Sequence, residues 1–558
     1  MKSRTSFFNL TVFRKDITRF APAWGLYLVG MLMLVPSFAG GFGYSMGGIA
    51  YFGRTIGVLS VVNILYAFVC AALLFGDLFN ARLCNALHAM PMRREGWFLT
   101  HLASGMLFSV VPNLVVGLCL MPKLDAYWYV SLIWVGGMTA TYLFFFGAAA
   151  LAALCTGSRF AMALVYGLIN FLSILILWTV RYLYEPLLFG IEIDADPFIY
   201  FSPVSYLCLR QLDFLPFVKI TDVVPYQPGP SGWPYVLGIA AVGLLMLAGA
   251  LLAYRKRHLE GAGDFITVRA LSPVFLVLYT LAAGLVMYLF FSLFTEGSTE
   301  YLFLAVGIAV GVVTGSMLLK RTVRVFKPAT FVGLAVMLAV IFGSMGLAKL
   351  DVLGIVRWLP EEDQIISASA GYAFDSRHYT TRDEAEIREL LDIHSRIIDA
   401  REEEEPRYGT KVYIQYHLKD GTTVARRYVA DYSRQEGEDL GRWLSKPGCV
   451  LQTDAPEWYR DTVKYINVQF YADPTGRVLF EEEARSLLKA VIADCEAGNM
   501  NQDWNYHNRQ SEYEQDPWCY LEMELPDHRD LVVTVWPTAE HTIAWLNARG
   551  VEPDPAGE

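Results

Sequence analysis

The chain lacks most of the patterns that carry known chemistry. No G-x-x-x-x-G-K-[ST] segment occurs, so ATP binding through a phosphate loop is excluded. The zinc-protease pattern H-E-x-x-H is missing, and the nine histidines do not cluster. Eight cysteines are scattered without a C-x-x-C pair, which argues against a zinc or other metal site. Three of them, Cys449, Cys495 and Cys519, lie in the last third, where they allow at most one disulfide. Ser486-x-x-Lys489 matches a short serine-nucleophile pattern, but its companion motifs are absent. The expectation is a chain that is not itself an enzyme and binds no cofactor.

Charge is scarce and uneven. Of the 55 acidic residues, 41 follow Leu350, along with about half of the basic ones. The first part is therefore net basic and the tail strongly acidic. An acidic balance argues against nucleic-acid partners, which need a basic face.

Long apolar runs fill the basic part. A bilayer span needs about 20 mostly apolar residues. Nine stretches qualify: 21–39, 56–75, 98–121, 128–154, 160–180, 233–254, 273–294, 301–319 and 330–347. None has Asp, Glu, Lys or Arg in its middle, and aromatic residues such as Trp128, Trp233 and Tyr301 mark their edges. Intramembrane acids and bases carry the coupling ion in many carriers, so their absence argues against a proton-driven transporter. Asn63, Asn113 and Asn170 read as hydrogen-bond partners between helices. Gly307, Gly311 and Gly315, four residues apart, read as a packing stripe.

Alternate connections are basic. The N-terminal segment carries Lys2, Arg4, Arg14, Lys15 and Arg19, the second-to-third loop Arg82, Arg93 and Arg94, and the fourth-to-fifth Arg159. The sixth-to-seventh carries Arg255, Lys256, Arg257 and Arg269, and the eighth-to-ninth Lys320, Arg321, Arg324 and Lys327. This bias predicts a cytoplasmic N-terminus and, after nine spans, an extracellular C-terminal domain in a multi-pass cell-membrane protein. Leu10, Phe13, Ile17 and Phe20 share a helical face, which predicts a helix lying in the inner interface.

After Leu350 the pattern changes to short strands and amphipathic helices. Ile387, Leu390, Leu391, His394, Ile397 and Ile398 keep helical spacing, as do Ala484, Leu487, Leu488, Val491, Ile492 and Cys495. Each helix is followed by a strand pair: 412–418 with 423–429 around an Asp420-Gly421 turn, and 519–525 with 531–535. Each pair leads to Trp-Leu-x-x-x-Gly: Trp443, Leu444 and Gly448, then Trp545, Leu546 and Gly550. A strand precedes each unit, at 365–372 and 463–471. The fold expected is an all-α polytopic membrane bundle of nine helices with a C-terminal α+β domain of two βαββα-like repeats. The repeats run about 360–450 and 455–552. Glu402–Glu405 reads as a solvated loop.

Two cytoplasmic segments are distinctive. The loop after the second span runs from Asp77 to Glu95 and contains Leu87, His88 and Pro91 before Arg93 and Arg94. The sixth span ends Tyr254-x-x-Arg257-x-x-Glu260. With the long outer loop 184–232 and its Phe201-Ser-Pro-Val-Ser-Tyr206 stretch, these resemble the type-2 ABC exporter permeases, especially bacterial members with extra spans and an extracellular C-terminal domain. The resemblance covers about residues 1–270. It implies an interfacial helix over 1–20, a six-span permease core over 21–270, three further spans over 271–349 and an extracellular domain over 350–558.

The resemblance further implies an ATPase-coupling loop formed by Leu87, His88, Met90, Arg93 and Arg94. The partners it implies are a separate ABC ATPase holding ATP and magnesium, a second permease subunit of the same or a different kind, and membrane lipid. A different reading is a membrane-anchored sensor or envelope assembly factor whose outer domain binds a ligand without transport.

Overall fold

The structure is a computed structural model that describes residues 8–40, 46–89, 93–124, 128–210, 212, 214, 231–257, 263–295, 299–372, 379–400, 410–430, 434–453, 456–470, 476–500, 517–524 and 530–551. The chain divides into two compact units. One is Met1–Tyr182 with Asp194–Ser344, and the other is Leu183–Ile193 with Met345–Glu558.

The first unit is a helical bundle. It opens with α1 (Leu10–Arg19) and α2 (Ala21–Gly40), followed by α3 (Met46–Leu74), the short α4 (Ala81–His88), α5 (Arg94–Leu124), α6 (Tyr129–Cys155) and α7 (Arg159–Thr179). Two short helices, α8 (Asp196–Tyr200) and α9 (Pro203–Leu209), lead to α10 (Trp233–Lys256), α11 (Leu271–Ser292), α12 (Thr299–Lys320) and α13 (Pro328–Lys349). Eight of the described helices are long and apolar enough to cross a membrane, and nine if α1 and the start of α2, bent by 57°, count as one broken span. This is the helix content of a multi-pass membrane protein.

Helix α6 is the most deeply buried span. It crosses α10 at Gly147 and Gly243, where a Cβ on Gly147 would lie 2.5 Å from the Gly243 carbonyl oxygen. Small residues permit this close approach of backbones. The stripe on α12 works the same way: Gly307 meets Gly284 and Gly311 meets Thr280, both on α11. Hydrogen bonds knit the centre. The Tyr27 hydroxyl bridges the side-chain oxygens of Asn63 and Asn113 at 3.0 and 3.1 Å, and Asn63 donates to Met138 and Thr141 on α6. Asn63 and Asn113 thus tie helices together. Asn170 donates within its own helix, to the Tyr166 carbonyl.

The stretch 98–121 does hold one buried ionisable group, His101, which corrects the expectation to that extent. Asp16 of α1 is buried against α5, with its carboxylate 2.8 Å from His101 Nδ1 and accepting from the Ser104 hydroxyl at 2.9 Å. In apolar surroundings the two groups supply each other's polar partner. The buried side of α1 is therefore built around Asp16, with Ile17 and Phe20 packed beside it, while Leu10 is exposed. The 201–206 stretch starts α9, capped by Ser202, and α9 packs on α3 at Gly57.

The second unit holds two four-stranded antiparallel sheets. β1 (Ile365–Tyr372), β2 (Tyr379–Thr381), α14 (Glu384–Asp399), β3 (Thr410–Leu418), β4 (Thr423–Ala430) and α15 (Gln435–Leu444) make the first half. Two short helices, α16 (Pro447–Leu451) and α17 (Pro456–Thr462), follow. β5 (Tyr465–Gln469), β6 (Arg477–Phe480), α18 (Glu481–Glu496), β7 (Cys519–Glu524), β8 (Asp530–Val535) and α19 (Glu540–Asn547) make the second half. The strand orders are β2-β1-β3-β4 and β6-β5-β7-β8, the same arrangement twice. Each half has one more strand than expected, because β2 and β6 are too short to show an alternating pattern.

Val412, Ile414, Tyr416 and Leu418 turn one face of β3 to α14, and Cys519, Leu521 and Met523 do the same from β7. The Asp420-Gly421 turn forms as expected, with Gly421 at φ +83° and Asp420 accepting from Thr422. The paired Trp-Leu endings also serve alike. Trp443 donates to the Glu386 carbonyl of α14, and Trp545 to the Ser486 hydroxyl of α18. The glycines differ: Gly448 lies in α16 against the Tyr379 ring, whereas Gly550 follows α19 at φ +65°. All three tail cysteines are unpaired. The acidic run 402–405 lies outside the described residues.

Candidate functional site at the basic helix ends

The two segments singled out by sequence meet in the structure. Helix ends leave their last carbonyls without intrahelical partners, and a cation placed there satisfies them and complements the helix dipole. Arg257, the C-cap of α10, is buried and does this for α6. Its Nη1 donates to the carbonyls of Ala153 and Leu154 at 3.2 and 3.1 Å. Its Nη2 reaches the Leu78 carbonyl at 3.1 Å, in the 3-10 turn Gly76–Phe79 just before α4. Thr267 completes the α6 terminus by donating to Cys155 and Leu154.

Arg94 returns the contact. It stands at the start of α5, and its Nη1 donates to the carbonyls of Tyr254, Arg255 and Arg257 at 3.3, 3.2 and 2.9 Å. Its guanidinium lies over the Tyr254 ring, and Trp97 packs on the same ring. Glu95 pairs with Arg255 at 3.1 Å. The loop holding α4 is therefore pinned at both ends to the α10 terminus, and through Arg257 to α6.

Helix α4 itself is capped by Asn80, which accepts from the backbone of Arg82. Cys84 faces inward. Burial holds its thiol above the ordinary range, while the nearby Arg257 and Arg94 cations pull the other way. Arg82, Leu83, Asn85 and Ala86 are exposed, Leu83 by 47 %. Of the five residues expected to form the coupling loop, Leu87 and His88 fall within α4, with side chains outside the described residues. Met90 lies outside them altogether, as does Glu260. Arg93 is exposed, and Arg94 is committed to the α10 carbonyls. Leu83 shares a helical side with Leu87 and Met90 in the sequence, whereas Asn85 and the Asp16–His101 pair were not singled out. The signal for the pair was there: Asp16 is the first acid in the chain, and the next is Asp77.

Other cavities lie elsewhere among the described residues. An apolar groove of about 490 Å³ runs between α7 and α11, floored by Gly167 and Ala282. A polar cleft of about 410 Å³ in the second unit is lined by Arg382, Asp383, Glu386 and Lys446. Among the described residues no group of three His, Cys, Asp or Glu is placed to hold a metal ion. Ser486 accepts from Trp545, half-buried, while Lys489 is exposed, an arrangement that serves packing. Gly43-Tyr44-Ser45-Met46-Gly47 fits a five-residue hydrolase pattern; residues 43–45 lie outside the described ones, and Met46 and Gly47 open α3.

No protein-family model matches the chain, and no curated protein or solved structure matches it.

Proposed function

We propose that the chain is the membrane-spanning subunit of an ABC transporter of the type-2 exporter kind, coupling ATP hydrolysis on a separate ATPase to substrate movement. The observation that carries this reading is the reciprocal arginine latch. A loop meant to transmit force must be exposed on one side and rigidly tied to the spans on the other. Leu83 and its neighbours supply the exposed side. Arg94 and Arg257 supply the tie, to α10 directly and to α6 through its terminal carbonyls. A helix in a partner's groove then biases a two-state bundle.

The basic ends gathered here favour the cytoplasmic side. The placement of the tail outside has separate support. Residues Leu183–Ile193, which follow α7, belong to the C-terminal unit, and the four span-length helices α10 to α13 lie between them and the tail. An even number of crossings keeps the two on one side, whatever the count near the N-terminus. The likeness of the two sheets favours a duplicated βαββα-type domain there.

The test is affinity purification of the intact chain in mild detergent. An ATPase with a phosphate loop accompanies it, and Leu83→Asp or Leu87→Asp abolishes the association. A folded chain that purifies alone contradicts the proposal. The polar cleft between Arg382 and Lys446 favours a second reading, an outer domain that binds a ligand without transport. Substrate-dependent stimulation of ATP hydrolysis in vesicles separates the two.

A further inference from the structure

Immediately after α13, five large apolar side chains are exposed within nine residues: Leu350 by 73 %, Val352 by 61 %, Leu353 by 82 %, Ile355 by 44 % and Trp358 by 49 %. Among the other described residues of this unit, exposed large apolar side chains are spread along the chain, as at Ile366, Trp458, Val478, Phe480 and Val532. The cluster sits on a built turn. Leu350, Asp351 and Val352 donate back to Gly346, Ala348 and Leu347 at the end of α13. Asp351, at φ +50°, turns its carboxylate inward, where it is 4 % exposed and accepts from the backbone of Val356 and Arg357 at 3.0 and 3.3 Å. Gly354 takes φ +65° to close the turn, and Val356 is buried.

The far side of the turn is fixed by β4. Arg426, itself buried, donates from Nη2 to the carbonyls of Ile355 and Trp358 at 3.2 and 3.3 Å. The same edge strand carries the segment that follows α7. Ile191 bridges Arg426, the Arg427 amide donates to the Gly190 carbonyl at 2.8 Å, and Glu192 pairs with Arg427 at 2.7 Å. Both chain segments arriving from spans are thus seated on β4.

A turn that buries its carboxylate and presents five apolar side chains has its polarity reversed for water, where exposed apolar area costs about 25 cal/mol per Å². It suits a lipid interface. The turn begins at Lys349, the last residue of a span-length helix, and ends at a tryptophan of the kind that populates the headgroup boundary. The exposed cation Lys349 precedes it and the exposed Arg357, 3.9 Å from the Asp351 carboxylate, lies within it, both with sign complementary to lipid phosphates.

We propose that residues 350–358 form an interfacial anchor that inserts Leu350, Val352, Leu353, Ile355 and Trp358 into the headgroup–acyl boundary and holds the first sheet at the bilayer surface. The inference rests on the membrane-spanning reading of α13 and not on an ATPase partner.

The test places the photoreactive residue p-benzoylphenylalanine at Leu353, and in a separate chain at Val478, an exposed apolar position on β6. The full chain is reconstituted in vesicles of phosphatidylethanolamine and phosphatidylglycerol and irradiated. Mass spectrometry is expected to find phospholipid adducts at position 353 about tenfold over position 478, as insertion into the interface requires. Equal adduct yields at the two positions overturn the proposal. So does a crosslink from position 353 to a second copy of the chain in place of lipid.

Discussion

Arg257 donates to three carbonyls, two at the end of α6, of which Leu154 also accepts from Thr267, and one ahead of α4. Hydrogen bonds to a charged donor are worth about 1.5–3 kcal/mol each, and leaving buried carbonyls unpaired adds to the loss. Arg257→Gln is expected to lower stability in detergent by at least about 2 kcal/mol, read by thermal unfolding. Arg257→Lys recovers little of it, because a single ammonium does not span the fork of acceptors. At Arg94 the same change acts on the α10 terminus alone, so its cost is smaller.

In the second unit, His394 is buried between the Tyr416 and Tyr428 hydroxyls at 3.0 and 2.7 Å. Burial, reinforced by the nearby Arg426 cation, pushes its pKa down to about 3 from 6.5. Between those values the unfolded chain binds a proton that the folded domain refuses. Stability is therefore full above pH 6.5 and falls by up to about 1.4 kcal/mol per pH unit below it, from this group alone. Acid unfolding of the tail should flatten in His394→Gln, measured by tryptophan fluorescence from pH 7 to pH 4.

At the scale of elements, α11 and α12 depend on backbone contact. A Cβ on Gly311 would sit 2.8 Å from the Thr280 Cα, with no side chain available to move aside. Gly311→Leu is expected to separate the helices and cost about 1–3 kcal/mol, whereas Gly333→Leu on α13, where nothing lies within 4 Å, is neutral. The four-residue glycine spacing and the apolar runs were readable because they are local patterns with one physical cause. So were the helices α14 and α18, whose buried positions follow the helical period.

What the sequence did not reveal is pairing between distant segments. Arg257 was part of a recognised stretch, but nothing in its neighbours names Leu78 or Ala153 as its acceptors. Asp16 lies off the apolar face of α1 shared by Leu10, Phe13, Ile17 and Phe20, and its partner His101 lies on another helix. β2 spans only Tyr379–Thr381 and β6 only Arg477–Phe480, so they exist by virtue of their neighbours β1 and β5. Arg94 was read as a docking contact, and its three carbonyl acceptors come from a segment far along the chain.

For the whole molecule, the proposed topology puts α4 and the latched helix ends on the inner face of the membrane and the twin-sheet unit, with its apolar turn, on the outer face. Asn85 on α4 and Asp420 in the first hairpin are both exposed. The direct measurement is labelling of intact cells with a membrane-impermeant maleimide, using Asn85→Cys and Asp420→Cys in a chain whose exposed Cys119 and Cys208 are changed to Ser. The account predicts that position 420 reacts in intact cells and position 85 only after the membrane is opened. Labelling of position 85 from outside, or of both positions from one side, contradicts it.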